Sequence, residues 1–333
     1  MKKLLALLVL VVMVGSFAVC SAEGTIPEGL ADKDRGDVSI AFLFKDSTTP
    51  FWRYMIAGAQ AAAKDFGVTV VEFAPIQQQN HEEQVRHMED VIMQDFDAIM
   101  LAAIDTTAII PAIEKVHAAG IPVITANTRV TGGPVETFIG LDNYQGALIL
   151  SQHMMELLGG KGTVVIVDGN PASATSQDRN RGLQDGAADY PDVEIIVTPP
   201  AYFNRVQAME VMENVIQAVP QIDAVMAMND EMALGSIQAL NAAGIEGVLV
   251  SGFDGALEGL EAIRDGIMTF SLDQDPISLG YYSVVHALEV IDAAAEGADL
   301  GGGILPEWIK LGGTLCGPDN AADLVQRYND FGF

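Results

Sequence analysis

Lysine, aromatic, amide, carboxylate and guanidinium side chains recur in this chain at one kind of place: the few residues that follow a strand-like run. Lys45 follows the run Val38–Phe44, with Phe51 and Trp52 shortly after it. Asn127 stands in Ala126-Asn127-Thr128-Arg129 after another run, and Arg179 and Arg181 lie in GNPASATSQDRNRG after a third. Phe203 lies in PPAYFNR, Asn229 and Asp230 follow Ala224–Met228, Asp254 follows Val248–Gly252, and Gln274 sits near a later strand end. Aromatic faces, amides, a carboxylate and guanidinium groups are a set suited to a sugar. A sugar ring offers apolar C–H faces to aromatic rings and a rim of hydroxyls, each both donor and acceptor. Asp accepts from such hydroxyls and Arg donates to them, in charge-assisted bonds roughly twice as strong as neutral ones.

Each of these residues also has a plainer reading. Phe51 lies one helical turn before Met55, which suits the top of a core stripe as well as a ligand contact. Trp52 falls off that stripe, which favours a cleft. Lys45, taken alone, reads as a solvated residue on a lip. Of Arg179 and Arg181, one can serve a helix surface while the other reaches a cleft. Asp230 reads as a helix N-cap, with Asp105 as its counterpart in the first half.

Catalytic motifs do not fit. No G-x-G-x-x-G follows a strand, and GGKGTV at 159–164 lacks both the Ser/Thr and the upstream glycine of a phosphate loop. His81 and His87 are too far apart for an H-E-x-x-H face and read as part of a solvated helix. No serine lies in a G-x-S-x-G elbow. Carboxylates are abundant throughout, so no one pair stands out as acid and base.

The elements that must position these residues alternate. Strands are expected at Val38–Phe44, Val68–Phe73, Ala98–Ala102, Pro122–Thr125, Thr163–Asp168, Val193–Thr198, Ala224–Met228 and Val248–Gly252, with amphipathic helices between them. That alternation is the mark of α/β architecture with parallel sheets. Thr49 reads as an N-cap and Pro50 as the first position of a helix that runs to Phe66 and stops at Gly67. MEDVI at 88–92 is echoed by MENVI at 212–216, DAIM at 97–100 by DAVM at 223–226, and AAGI at 118–121 by AAGI at 242–245. Three echoes in order indicate two duplicated lobes. Ligands of open parallel sheets bind beyond the carboxyl ends of the strands, so two facing lobes gather both sets of loops on one cleft.

Composition narrows the class further. Residues 1–22 read as a signal peptide, with Lys2 and Lys3 ahead of an apolar run from Leu4 to Val14. Cleavage after Ala22 competes with lipidation of Cys20, against which Val19 stands where a small residue is usual. The chain beyond this leader is long enough for two cores. Cys316 then has no partner, so no disulfide framework is expected. The formal net charge of −28, more negative still without the leader lysines, repels phosphate backbones and anionic lipid surfaces. Nucleic acid is excluded as a partner.

PFW followed by GAQ, then AAGIPVIT, LDN at 141–143, DRNRG, NDEMALG and GFDG occur in this order. With them the chain resembles the periplasmic sugar-binding proteins of the ribose/allose-binding type, over nearly its whole length after the leader. The resemblance implies an α/β fold of two similar doubly wound parallel-sheet lobes joined by a three-strand hinge, the type I periplasmic binding protein arrangement. Such lobes close on one solute. It implies an N-terminal lobe of 37–142 plus 275–306, a C-terminal lobe of 143–274 plus 307–333, and crossovers near Asp142, near Gln274 and around Pro306. The family's ligand positions fall on Phe51, Trp52, Arg179, Phe203, Asn229, Asp254 and Gln274, and Asn127 joins them as a reader of hydroxyls. Lys45 matches a lysine that allose- and arabinose-binding relatives use on their sugars, which makes it a contact rather than a lip residue.

Two departures from the ribose-binding pattern stand out. Ribose binders carry Asn before the Pro and an Asp-Arg pair after the fourth strand, where this chain has Thr49 and Asn127-Thr128, with Arg129 displaced by one. An anionic acceptor is missing from the first lobe and a lysine is present. Another pentose or hexose, a polyol, or a ligand of partial negative character fits better than ribose. The expected function is an exported, non-enzymatic solute-binding protein, monomeric and without cofactor or metal. It would deliver a sugar or polyol to the permease and ATPase of an ABC importer. The alternatives are a receptor for a furanosyl autoinducer, a sugar sensor linked to a chemoreceptor, and an exported sugar-modifying enzyme.

Overall fold

A computed structural model of the protein describes residues 26, 27, 29, 30, 33 and 35–333; the expected signal peptide and Cys20 lie outside the described residues. The first half runs β1 (Ser39–Leu43), α1 (Pro50–Phe66), β2 (Thr69–Phe73), α2 (His81–Met93), β3 (Ala98–Leu101), α3 (Ile110–Ala118), β4 (Val123–Ala126) and β5 (Thr137–Gly140). The second half runs α4 (Asn143–Leu158), β6 (Lys161–Val167), α5 (Ala174–Ala187), β7 (Asp192–Val197), α6 (Arg205–Ala218), β8 (Ala224–Ala227), α7 (Asp230–Ala242), β9 (Leu249–Asp254), α8 (Leu257–Arg264) and β10 (Phe270–Asp273). The chain then adds α9 (Pro276–Ala295), β11 (Trp308–Lys310), β12 (Thr314–Cys316) and α10 (Ala321–Asp330).

Two six-stranded sheets result, ordered β11-β5-β4-β3-β1-β2 and β12-β10-β9-β8-β6-β7. The duplication read from the echoes is thus a duplication of topology, since each half lays its strands down in the same order. All pairings are parallel except that of β12 with β10. The central strands are buried on both faces by helices, which is why β3 and β8 are continuous apolar runs, and β1 and β4 nearly so, rather than alternating ones. In each sheet the order reverses beside the first strand of the half, between β1 and β3 and between β6 and β8. Loops part there and leave a crevice at the carboxyl ends.

The chain leaves the first sheet at Leu141-Asp142, returns at Gln274-Asp275, and passes to the second sheet again at 311–313, between β11 and β12. This last passage comes later than the expected one around Pro306, and β11 falls inside the expected C-terminal segment 307–333 although it belongs to the first sheet. The pairing explains the difference. β11 pairs with β5, Trp308 stacks at 5.5 Å on Phe138, and its indole N–H donates to Gly140 O at 3.0 Å. A three-residue edge strand is too short to show a periodicity of its own.

The return at Asp275 starts α9, which lies against α1 so closely that Gly58 and Gly280 meet the opposing backbone. A Cβ on Gly58 would overlap Ile277 O, and one on Gly280 would overlap Met55 O. Gly58→Ala adds helix propensity of about 1 kcal/mol. Backbone carbonyls cannot rotate away as side chains do, so overpacking of about 1–3 kcal/mol wins. Urea unfolding is expected to show Gly58→Ala less stable than the parent by up to about 2 kcal/mol; a gain in stability would mean that the two helices can separate freely.

Candidate functional site

α1 begins at Pro50 and ends on a left-handed Gly67, as its sequence indicates, but Thr49 does not cap it with its side chain. Asp46 takes over that end of the helix. Its Oδ1 accepts from the backbone N–H groups of Thr48 (2.9 Å) and Thr49 (2.7 Å), and both threonine hydroxyls donate to the same carboxylate. The turn so formed brings Lys45, Phe51 and Trp52 onto one wall of a cavity between the lobes. The cavity contains about 380 Å³ of space free of protein atoms, including the part open to solvent.

Asp46, Thr49, Gln79 and Asn127 complete the first lobe's share of the lining. Thr175, Arg179, Phe203, Asn229 and Asp254 line it from the second lobe. Eight of the residues expected from sequence therefore meet in one place. Gln274 does not line the cavity. It stands behind it in the second crossover, where its Nε2 donates to Asp254 Oδ1 at 2.7 Å and its Oε1 accepts from Asn127 Nδ2 at 3.3 Å. Its role is to hold two lining residues, one from each lobe.

Arg179 is buried and its donors are directed three ways. Nε donates to Asn143 Oδ1 at 2.8 Å, and Nη1 donates to Met228 O at 2.6 Å and to Asp254 Oδ1 at 3.1 Å. Its guanidinium lies 3.6 Å from the centroid of the Phe253 ring. Arg181, the other candidate, is exposed and pairs with Asp178. Asn229, not Asp230, is the N-cap of α7, accepting from Met232 N at 2.9 Å. Asp230 is buried one residue further on and accepts from Ser271 Oγ (2.6 Å) and Ala256 N (2.7 Å). The sequence reading of Asp230 misses this because both partners come from later parts of the chain. Asp105 does accept from the N–H groups of Thr107 and Ala108, ahead of α3.

Backbone strain gathers here. Asn127 (φ 63°), Phe203 (φ 61°) and Asp254 (φ 113°) all lie in the left-handed half of conformational space. Each such residue costs of order 1–3 kcal/mol and persists where the surroundings over-determine it, as at a ligand clamp. Electrostatics are perturbed in the same place. Burial pushes the Asp254 carboxyl up to about 6, against the pull of Arg179. Burial, with the Arg179 charge second, brings Lys45 down to about 7, against Asp254 and Asp46. Burial also lowers Arg179, opposed chiefly by Asp254.

Direct bonds join the lobes across the cleft. Asn170 Nδ2 donates to Gln79 Oε1 and Asn204 Nδ2 to Gln78 Oε1, both at 2.7 Å. Thr106 N donates to Ala172 O at 3.1 Å, and Arg129 pairs with Asp178 at 3.0 Å. The lobes are closed on one another. Gln78, Gln79, Asn170 and Thr175 went unremarked in the sequence, where QQQN and GNPASAT carry only the signal of polar loops.

Residues 40–295 match the periplasmic binding protein domain family. The chain belongs to the periplasmic binding protein family. This periplasmic binding protein is 30% identical over 258 residues to the ribose import binding protein RbsB of Bacillus subtilis (strain 168), covering 78% of this chain and 83% of that protein. To the D-allose-binding periplasmic protein of Escherichia coli (strain K12) it is 28% identical over 249 residues, covering 72% and 80%. Among solved structures it is similar to an ABC transporter periplasmic solute binding protein from Actinobacillus succinogenes 130z with bound D-allose. The TM-score is 0.79 at 28% identity, covering 86% of this chain and 99% of that one. These relatives are binding proteins of import systems, not enzymes, and the two parallel-sheet lobes are those of the type I periplasmic binding proteins.

Proposed function

We propose that this periplasmic binding protein works outside the cytoplasm, capturing one monosaccharide or polyol between its lobes and delivering it to the permease and ATPase of an ABC importer. The observation that carries the reading is the make-up of the cavity wall. Aromatic rings come from both lobes, Phe51 and Trp52 from one and Phe203 from the other, and hydrogen-bonding groups also come from both. Rings take the apolar faces of a sugar while Asn127, Arg179, Asn229 and Asp254 read its hydroxyls. A ligand that bridges the lobes in this way favours the closed arrangement, because only there do both sets of contacts exist.

The test is a thermal-shift screen over pentoses, hexoses and polyols, followed by calorimetric titration of whatever shifts melting. A ligand at a hundred times its dissociation constant is expected to stabilise the fold by about 2.7 kcal/mol. Binding of one ligand per chain without product formation supports the proposal. A panel that leaves the melting temperature unmoved, or a sugar that is chemically altered, overturns it.

A further inference from the structure

Resting on the sugar reading, one feature of the cavity narrows the ligand class: two cations and two carboxylates line it, and one of the cations, Lys45, makes no ion pair. Asp254 is committed to Arg179 and Gln274. Asp46 is committed to the start of α1, where two backbone N–H groups, two hydroxyls and the positive end of the helix satisfy it. Lys45 is the remainder. Its side chain is buried, yet among the described residues its ammonium has one hydrogen-bond partner, Ser173 Oγ at a long 3.3 Å, and no ion pair. It stands 6.0 Å from the Trp52 ring centroid and 5.5 Å from that of Phe203, so it lies between the aromatic rings that would hold a sugar. An ammonium has three donors and no acceptor, and a buried one with a single long hydrogen bond and no ion pair is costly.

We propose that the ligand is a monosaccharide or polyol bearing a single carboxylate, an aldonate or uronate, with that carboxylate seated against Lys45. The aromatic rings still take the sugar's C–H face and Asp254 with Arg179 still reads its hydroxyls. A carboxylate supplies the ion pair that this ammonium lacks, and because Asp46 and Asp254 already match Lys45 and Arg179 in number, a phosphate dianion adds twice the surplus negative charge. A neutral sugar leaves the ammonium with hydroxyls alone, which are weaker acceptors than a carboxylate. The groups facing Lys45 are Arg179 from α5, Asp254 at the end of β9 and Asp46 from its own loop. The first works against its charge and the other two support it. A ligand carboxylate adds to the supporting side and raises the lysine from about 7, so the acid binds the protonated form.

Calorimetric titration with matched pairs, glucose with glucuronate, galactose with galacturonate, arabinose with arabinonate and glycerol with glycerate, tests this directly. In at least one pair the acid is expected to bind about tenfold or more tightly than its neutral partner at pH 7. Its affinity should then fall between pH 7 and 9 by up to about tenfold per unit as Lys45 loses its proton. Lys45→Met is expected to abolish the preference for the acid, its folding checked by melting of the free protein; Lys45→Arg, which keeps the charge, should retain the preference. Neutral members binding as tightly as acids, a phosphate ester outcompeting the carboxylate, or an acid affinity independent of pH across that range would each overturn the carboxylate assignment while leaving the sugar reading in place. Failure of every member of every pair to bind overturns both.

Discussion

Asp254→Ala is expected to abolish ligand-induced stabilisation and also to lower the stability of the free protein by about 3 kcal/mol, measured by urea unfolding. Asp254 faces two ways. Toward the cavity it presents acceptor capacity to a ligand. Away from it, Oδ1 receives Arg179 and Gln274. Removing it leaves Arg179, which is 2% exposed, without its counter-charge, and breaking a buried pair from one side costs about 3–5 kcal/mol. The lower end applies because Arg179 keeps Asn143, Met228 O and the face of Phe253. An unchanged unfolding midpoint would show that Arg179 has no need of the carboxylate.

Asp254→Asn separates charge from shape. The Asp254 carboxyl is raised from 3.8 to about 6, so the folded state holds the proton more tightly than the unfolded state. Stability from that proton is fully present below 3.8 and is lost as pH rises through about 6. The difference in unfolding free energy between parent and Asp254→Asn should therefore move in the parent's favour as pH falls across this window. The change should be on the order of 3 kcal/mol. A difference that stays flat with pH would show that the group titrates normally.

The second large effect is expected at Asp230, which does not line the cavity. Its carboxylate ties Ala256 N, at the start of α8, to Ser271 Oγ on β10, from the first turn of α7. Gly252 and Gly259 give it room, since a Cβ at either would run into the Asp230 side chain. Burial, helped by the nearby Asp254 charge, pushes the Asp230 carboxyl well above its usual range. Asp230→Ala leaves a buried N–H and a buried hydroxyl unpaired at about 1–3 kcal/mol each, so a loss of about 3 kcal/mol or more is expected. Asp230→Asn keeps an acceptor and the shape and should cost much less. Because the β9–α8 turn carries Asp254, Asp230→Ala should weaken ligand binding as well. Equal losses from the two variants would mean that the charge itself is what the site requires.

That contrast shows how much of the site local sequence can reveal. Asn229-Asp230 after a strand signals a helix start, and either residue suits a cap by its chemistry. Which of them caps is decided by where the other's oxygens find partners, and those partners lie in later strands and turns. Lys45 is similar. Its type and position mark it as polar and near the cleft, but its burial without an ion pair depends on the opposing lobe. Gln274 is legible as a residue at a strand end, while its place behind Asp254 follows only from the crossover that carries it.

The sequence by itself determined the alternation of strands and helices, the duplication into two lobes, the start and stop of α1, and the kinds of side chain that gather at the strand ends. Those are local or periodic properties, encoded within one or two elements. Tertiary structure decided which groups became partners. Arg179 meets Asp254 across 75 residues and Asn127 meets Gln274 across 147. It also decided that Trp308–Lys310 belongs to the first sheet, that the lobes close through Gln78, Gln79, Asn170 and Asn204, and that one buried lysine is left without an ion pair. Charge pairing in a cavity depends on distances of a few ångströms between groups far apart in the chain, and no pattern read along the chain contains those distances.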